Sequence, residues 1–234
     1  GESDKAIELF NKVISLDAEN PRAYIGLGNI YFQKGESDKA IESFNKAISL
    51  DAENTRAYIG LGYSYSQKGE TDKVIELFNK VISMDANSSP AYVGLGNAYF
   101  QKGETDKAIE SFNKAISLDA KNAHAYTGLG NSYSQKDETG KAIKSFNKAI
   151  SLDAKNAHAY TGLGNVYFQK GKAGKAIKLF NKAISLDAKN ANAYYRLGEI
   201  YLSLEKENSA LEQCKILDGL DKDLAKKLYE QIKP

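Results

Sequence analysis

Apolar residues fall at helical spacing along this chain, and the whole arrangement returns every 34 residues. In residues 21–54, Ala23, Tyr24, Leu27, Gly28 and Tyr31 line one face of a first helix. Ala40, Ile41, Phe44, Ala47 and Ile48 form the apolar stripe of a second. The spacing predicts a turn between them at Gly35, which suits a left-handed residue closing the first helix. Lys34 just before it complements the helix dipole. Asn20 is placed to cap the first helix and Pro21 to occupy its first turn, where a missing N–H costs nothing. Ser37 is expected to cap the second, with Asp38 in its first turn. Gly28 lies inside the apolar face, where glycine costs about 1 kcal/mol against alanine. Its return as Gly62, Gly96, Gly130, Gly164 and Gly198 predicts close helix packing there.

The segment Tyr24 to Tyr31 recurs as Tyr58 to Tyr65, Tyr92 to Tyr99, Tyr126 to Tyr133 and Tyr160 to Tyr167, with a weaker copy from Tyr194 to Tyr201. A fixed period of this size predicts a stacked all-α array, each unit burying its apolar face against its neighbours. The boundaries read as a second helix of an incomplete repeat at 1–20, and full repeats at 21–54, 55–88, 89–122, 123–156 and 157–190. A degenerate repeat follows at 191–217, then a capping segment at 218–234 with a helix over about 221–232. Its Leu224, Ala225, Leu228 and Ile232 share one side; Lys222, Asp223, Lys226, Lys227 and Glu230 share the other. The chain starts in mid-repeat and without methionine, as a fragment of a longer protein would. The helix over about 4–16 is expected to expose Ala6, Phe10 and Val13, so this end is predicted to fray or to meet another chain.

On Tyr24, Leu27, Gly28, Tyr31, Ala40, Phe44 and Ala47 and their recurrences, the chain resembles the tetratricopeptide repeat family. The resemblance implies a right-handed superhelical solenoid of helix–turn–helix repeats whose first helices line a concave groove. The chain departs from the family pattern in three places. Tyrosine replaces the usual tryptophan. Alanine replaces the closing proline at Ala52, Ala86, Ala120, Ala154 and Ala188, which loosens the expected boundary between repeats. The inter-helix glycine is Asp137 in one copy and Glu205 in the last; aspartate tolerates the left-handed region, whereas Glu205 predicts an altered turn.

By this resemblance the stripe facing the groove is Arg22, Ile25, Asn29, Phe32 and Gln33. Asn29, Asn97, Asn131 and Asn165 share one register, which holds Tyr63 and Glu199 in the other copies. Gln33, Gln67, Gln101, Gln135 and Gln169 share another. A carboxamide both donates and accepts, and neighbouring helices pack roughly 8–10 Å apart. Such a ladder suits the backbone of an extended peptide. Phe32, Phe100 and Phe168 alternate with Ser66 and Ser134, giving spaced apolar anchors. Arg22 and Arg56 add positive charge. A clamp for a C-terminal carboxylate is not expected, because Ile25, Ile59, Val93, Thr127, Thr161 and the glycines after them stand at the candidate positions.

Net charge is +2, with no single clustered basic patch of the kind nucleic-acid binders show. The charge is uneven, however. Residues 1–117 carry 13 Lys and Arg against 17 Asp and Glu, and the remainder 19 against 13. Lys144, Lys178, Lys121, Lys155 and Lys189 stand where earlier copies have glutamate, which reads as drift on a solvated face. The single Cys214 rules out an internal disulfide and takes a core place held elsewhere by Phe. No apolar run spans a membrane, so a soluble, cytoplasmic protein is expected. His124 and His158 lack ligand partners at metal spacing, the Gly-Leu-Gly-Asn segments lie within helices, and no nucleophile–base set is visible. The expectation is a non-enzyme without cofactor or metal, binding a protein or peptide. Self-assembly through the N-terminal end, or service as the targeting arm of a larger enzyme, are the alternatives. Residues 113–131 and 147–165 are identical, a mark of duplication. A designed consensus chain would also repeat this closely, but the irregular last copy and scattered substitutions favour a natural origin.

Overall fold

Helices that begin at an asparagine cap and end before a left-handed glycine alternate with helices that end at an extended aspartate, and this gives the chain its outline. The computed structural model describes residues 1–232, and these form fourteen α-helices and no strands. The last two residues of the 218–234 segment lie outside the described residues. The helices fall into two compact units, one of residues Gly1–Ala120 and one beginning at Lys121.

The first unit contains α1 (Glu2–Leu16), α2 (Pro21–Gln33), α3 (Ser37–Leu50), α4 (Thr55–Gln67), α5 (Thr71–Met84), α6 (Ser89–Gln101) and α7 (Thr105–Leu118). The even-numbered members are the first, or A, helices of their repeats and the odd-numbered ones the second, or B, helices. Each A helix packs on its own B helix and on the one before it. The A helices also touch one another, α2 against α4 and α4 against α6. The second unit follows the same plan through α8 (Ala123–Gln135), α9 (Thr139–Leu152), α10 (Ala157–Gln169), α11 (Ala173–Leu186), α12 (Ala191–Ser203), α13 (Glu207–Asp218) and α14 (Lys222–Ile232).

The core is a series of small clusters rather than one mass. Phe44, Phe78, Phe112, Phe146 and Phe180 are each fully buried, flanked on their own B helix by two buried alanines or, around Phe78, by Val74 and Val81. The A-helix glycines make room for these rings. A Cβ built on Gly28 would lie 2.8 Å from the Phe44 ring, and one on Gly60 only 2.4 Å from it. Phe78 likewise sits between Gly62 and Gly94, and Phe146 between Gly130 and Gly162, each ring in a notch on its own A helix and in another on the next; Phe180 has only the notch at Gly164, because Arg196 takes the second place on α12. Beyond α12 this wedge changes identity: Gly198 faces Leu228 of the capping helix α14, 2.3 Å from a Cβ position. Cys214 is buried where other copies place the ring, and its thiol donates to the Ala225 carbonyl at 3.2 Å.

Several boundary expectations meet a different outcome. Ser37 does not cap α3; it is the first helical residue after Glu36, and its hydroxyl donates to Gln67 Oε1 of the next repeat at 2.9 Å. The turn at Glu205 is not altered. Glu205 takes φ +57° and Asp137 φ +58°, close to the +74° of Gly35, and the bond closing the turn, Lys206 N–H to Tyr201 C=O at 2.8 Å, matches Glu36 to Tyr31 at 2.9 Å. At α1, Phe10 is half-buried because it docks on the Gly26 notch of α2. The large apolar residues left in solvent are Leu9, Val13 and Leu16, at 66%, 40% and 80% exposure.

Alanine in place of the closing proline does not leave the linkers loose. Asp51 is extended, and its carboxylate accepts from the Glu53 N–H at 3.3 Å and from Asn54 Nδ2 at 2.9 Å. Asn54 then caps α4 through the Ala57 N–H at 3.2 Å. Two short polar side chains therefore set the boundary that a ring would otherwise fix.

Candidate functional site

Helix geometry puts Arg22, Asn29 and Gln33 on the side of α2 away from Tyr24, Leu27 and Tyr31. In the first unit Asn29 and Asn97 are exposed on α2 and α6, and neither carboxamide has a hydrogen-bond partner among the described residues. Arg22, Arg56 and Gln101 are likewise exposed. Tyr63, which holds the asparagine register on α4, is half-buried and already engaged. Its ring meets Phe78 edge-on at 5.3 Å, its hydroxyl donates to the Pro90 carbonyl at 3.4 Å, and burial raises the phenol pKa. Gln67 reaches back to the preceding repeat, accepting from Ser37 and donating to the Phe32 carbonyl at 3.4 Å. Phe32 is half-buried and packs against the cluster of Ala40, Phe44 and Leu61; Phe100 is half-buried on α6.

In the second unit Asn131 and Asn165 are half-buried on α8 and α10. Asn131 Oδ1 lies 3.2 Å from the Cβ position of Gly162, so this amide rests against the next A helix. Asn165 Oδ1 is shielded from solvent and accepts no hydrogen bond among the described residues. A shielded, unpaired acceptor costs about 1–3 kcal/mol. Phe168 packs against the cluster around Phe180, and Gln135 is exposed at the end of α8. Thr127 and Thr161, placed by their register on the groove stripe, are in fact buried. Each donates to a carbonyl one turn back and accepts from an asparagine of the following linker, Asn156 Nδ2 to Thr127 and Asn190 Nδ2 to Thr161, both at 3.0 Å.

Sequence reasoning missed a second set of concavities. Between α2 and α3, between α6 and α7, and between α8 and α9 lie crevices of about 680, 630 and 710 Å³. Each is walled by two tyrosines and a leucine of the A helix and rimmed by lysines and serines of the B helix. They open on the side away from the asparagine stripe. The signal was present in the recurrence of Tyr24, Leu27 and Tyr31, but large apolar residues on one helical face read first as core.

Among the described residues no cluster of His, Cys, Asp or Glu could hold a metal ion, and no helix is long and apolar enough to cross a membrane.

Family models described as "TPR repeat" match residues 1–35, 28–69, 96–137, 130–171 and 164–204, and one described as "Tetratricopeptide repeat" matches residues 55–88. Among solved structures, the chain is similar to one in the APC/C hetero-tetramer Cut9–Hcn1. That match has 21% identity and TM-score 0.87, and covers all of this chain but 46% of that one. It is also similar to a tetratricopeptide repeat protein from Parabacteroides merdae, at 22% identity and TM-score 0.82, with 100% and 93% of the two chains covered. MamA is 34% identical, with TM-score 0.55 over 70% of this chain and 96% of that one. No curated protein matches the sequence.

Proposed function

Because the chain belongs to the tetratricopeptide repeat family, whose fold is in general a non-catalytic protein–protein interaction scaffold, we propose that the A-helix stripe of each unit holds an extended peptide segment. Asn29, Asn97, Asn131 and Asn165 would bond the peptide backbone. Phe32, Phe100 and Phe168 would give apolar contact from their half-buried positions, and Arg22 and Arg56 would favour acidic side chains. The observation carrying this reading is that none of the four asparagine carboxamides has a hydrogen-bond partner among the described residues, with Asn29 and Asn97 exposed and Asn131 and Asn165 half-buried. Tyr63 and Gln67 would shape the wall rather than bond the ligand, since their polar groups are already used. Gln101 would extend the polar edge.

The test is a peptide-array screen followed by the double substitution Asn97→Ala and Asn131→Ala. Each amide bond is worth about 1 kcal/mol net, so affinity for the selected peptide should fall roughly tenfold or more, with the thermal transition unmoved. Unchanged affinity would remove the asparagine ladder from the account.

A further inference from the structure

The B helices carry a charge pattern that the asparagine stripe does not use. In the first unit, α3 balances Lys39 and Lys46 with Asp38 and Glu42, and α7 balances Lys107 and Lys114 with Asp106 and Glu110. In the second unit glycine replaces the aspartate and lysine the glutamate. Helix α9 becomes Gly140, Lys141, Lys144, Lys148, and α11 becomes Gly174, Lys175, Lys178, Lys182. Each of these helices bears three exposed lysines and no acid.

The change has a counterpart in shape. The crevice between α8 and α9 has the tyrosine and leucine walls of its siblings, here Tyr126, Leu129 and Tyr133, but Lys144 stands on its rim where Glu42 and Glu110 stand on theirs. Lys141 is held by Glu138 at 2.5 Å and lies 5.1 Å from the centre of the Tyr133 ring. Lys144 and Lys148 have no ion pair among the described residues. An apolar floor under an uncompensated cationic rim is a surface in want of anions.

We propose that this crevice docks an acidic protein segment: one apolar or aromatic side chain enters between Tyr126 and Tyr133 while flanking carboxylates meet Lys144 and Lys148. The lysines of α11 continue the same charge for a longer segment. Two other anionic partners fit less well. A membrane surface calls for protruding apolar side chains, and the large exposed apolar residues of this unit, Leu204, Ile216 and Tyr229, lie beyond α11. Nucleic acid is gripped preferentially by arginine, and α8 to α11 contain none.

The experiment measures anisotropy of a fluorescein-labelled peptide, Asp-Glu-Glu-Phe-Glu-Asp-Glu, against the whole chain. The informative variant is Lys144→Glu with Lys178→Glu. It installs the residue that sibling repeats carry at Glu42, Glu76 and Glu110, so the fold has internal precedent for it. Affinity should drop about tenfold in this variant, and wild-type binding should weaken on raising salt from about 50 to about 300 mM. Replacing the peptide Phe by Ala should cost about fivefold through loss of its buried area. Asn97→Ala with Asn131→Ala should leave this binding unchanged, which separates it from the groove. Indifference to the charge reversal, or equal binding of the Phe-less peptide, overturns the proposal. So does tighter binding of a thymidine oligonucleotide or of phosphatidylserine vesicles than of the peptide.

Discussion

Phe44 touches two glycines on different helices, and the second of these is the tighter fit. Gly60→Ala would drive a methyl group into the ring. Overpacking of this kind costs about 1–3 kcal/mol, against a helix-propensity gain of about 1 kcal/mol, so a net loss of up to about 2 kcal/mol is expected in urea unfolding. Gly140→Ala gives the opposite outcome. Nothing lies within 4 Å of its Cβ position and its backbone is helical, so up to about 1 kcal/mol of stabilisation is expected. The two glycine registers differed in legibility for a physical reason. Gly28 sits among Tyr24, Leu27 and Tyr31, so its smallness reads as close packing. Gly60 lies off that stripe and read as a place where a ligand-binding side chain was lacking. A residue without a side chain leaves no trace in an apolar pattern, and the notch it makes is defined by a ring on the preceding helix.

Helices and their joints were the most legible level, because caps and apolar spacing are local. Asn20, Asn54, Asn122, Asn156 and Asn190 all cap A helices. Less legible was the second task that Asn54, Asn156 and Asn190 perform. Asn156 also donates to Thr127 inside the packed wall, whereas Asn54 donates to half-buried Asp51 in its own linker. Asn156→Ala should therefore cost about 2 kcal/mol, combining a lost cap with a lost buried bond, and Asn54→Ala about 1 kcal/mol. Chemical denaturation of the two variants checks this, and equal losses would deny the buried bond its role. Likewise the stripe of Asn29, Phe32 and Gln33 was readable as a face, but not which members stay free. Phe32 leans on its own core and Gln67 on the preceding turn, and both depend on how far each helix rotates against its neighbour.

At the scale of the molecule the two units join their repeats by different chemistry. In the first, Lys34, Lys68 and Lys102 at the ends of A helices reach Asp4, Asp38 and Asp72 of preceding B helices at 2.7–2.8 Å. In the second, Gly140 and Gly174 take the aspartate place, and the buried Asn–Thr bonds appear instead. The first unit should consequently be the more acid-sensitive. Hydrogen bonds from Lys34 and the terminal ammonium hold Asp4 at about 2, below its usual 3.8. Bonds from Lys39, Lys73 and Lys107 hold Glu36, Glu70 and Glu104 below their usual 4.5. A carboxylate depressed in the folded state binds fewer protons there than when unfolded. Its contribution is complete above the unfolded value and disappears as pH falls through the folded one. Exposed pairs contribute modestly, so the contrast between units is the useful readout. Hydrogen exchange at about pH 3 against about pH 6 should show protection lost sooner in α2–α7 than in α8–α13. Equal losses would mean that the carboxylates do not set the difference.

The ring held between two glycines also bears on how such a gene changes. Excising or adding one whole period by recombination between near-identical copies regenerates the same wedge at the scar. Such an event alters the reach of the array in steps, and no new interface has to be invented for the offspring to fold.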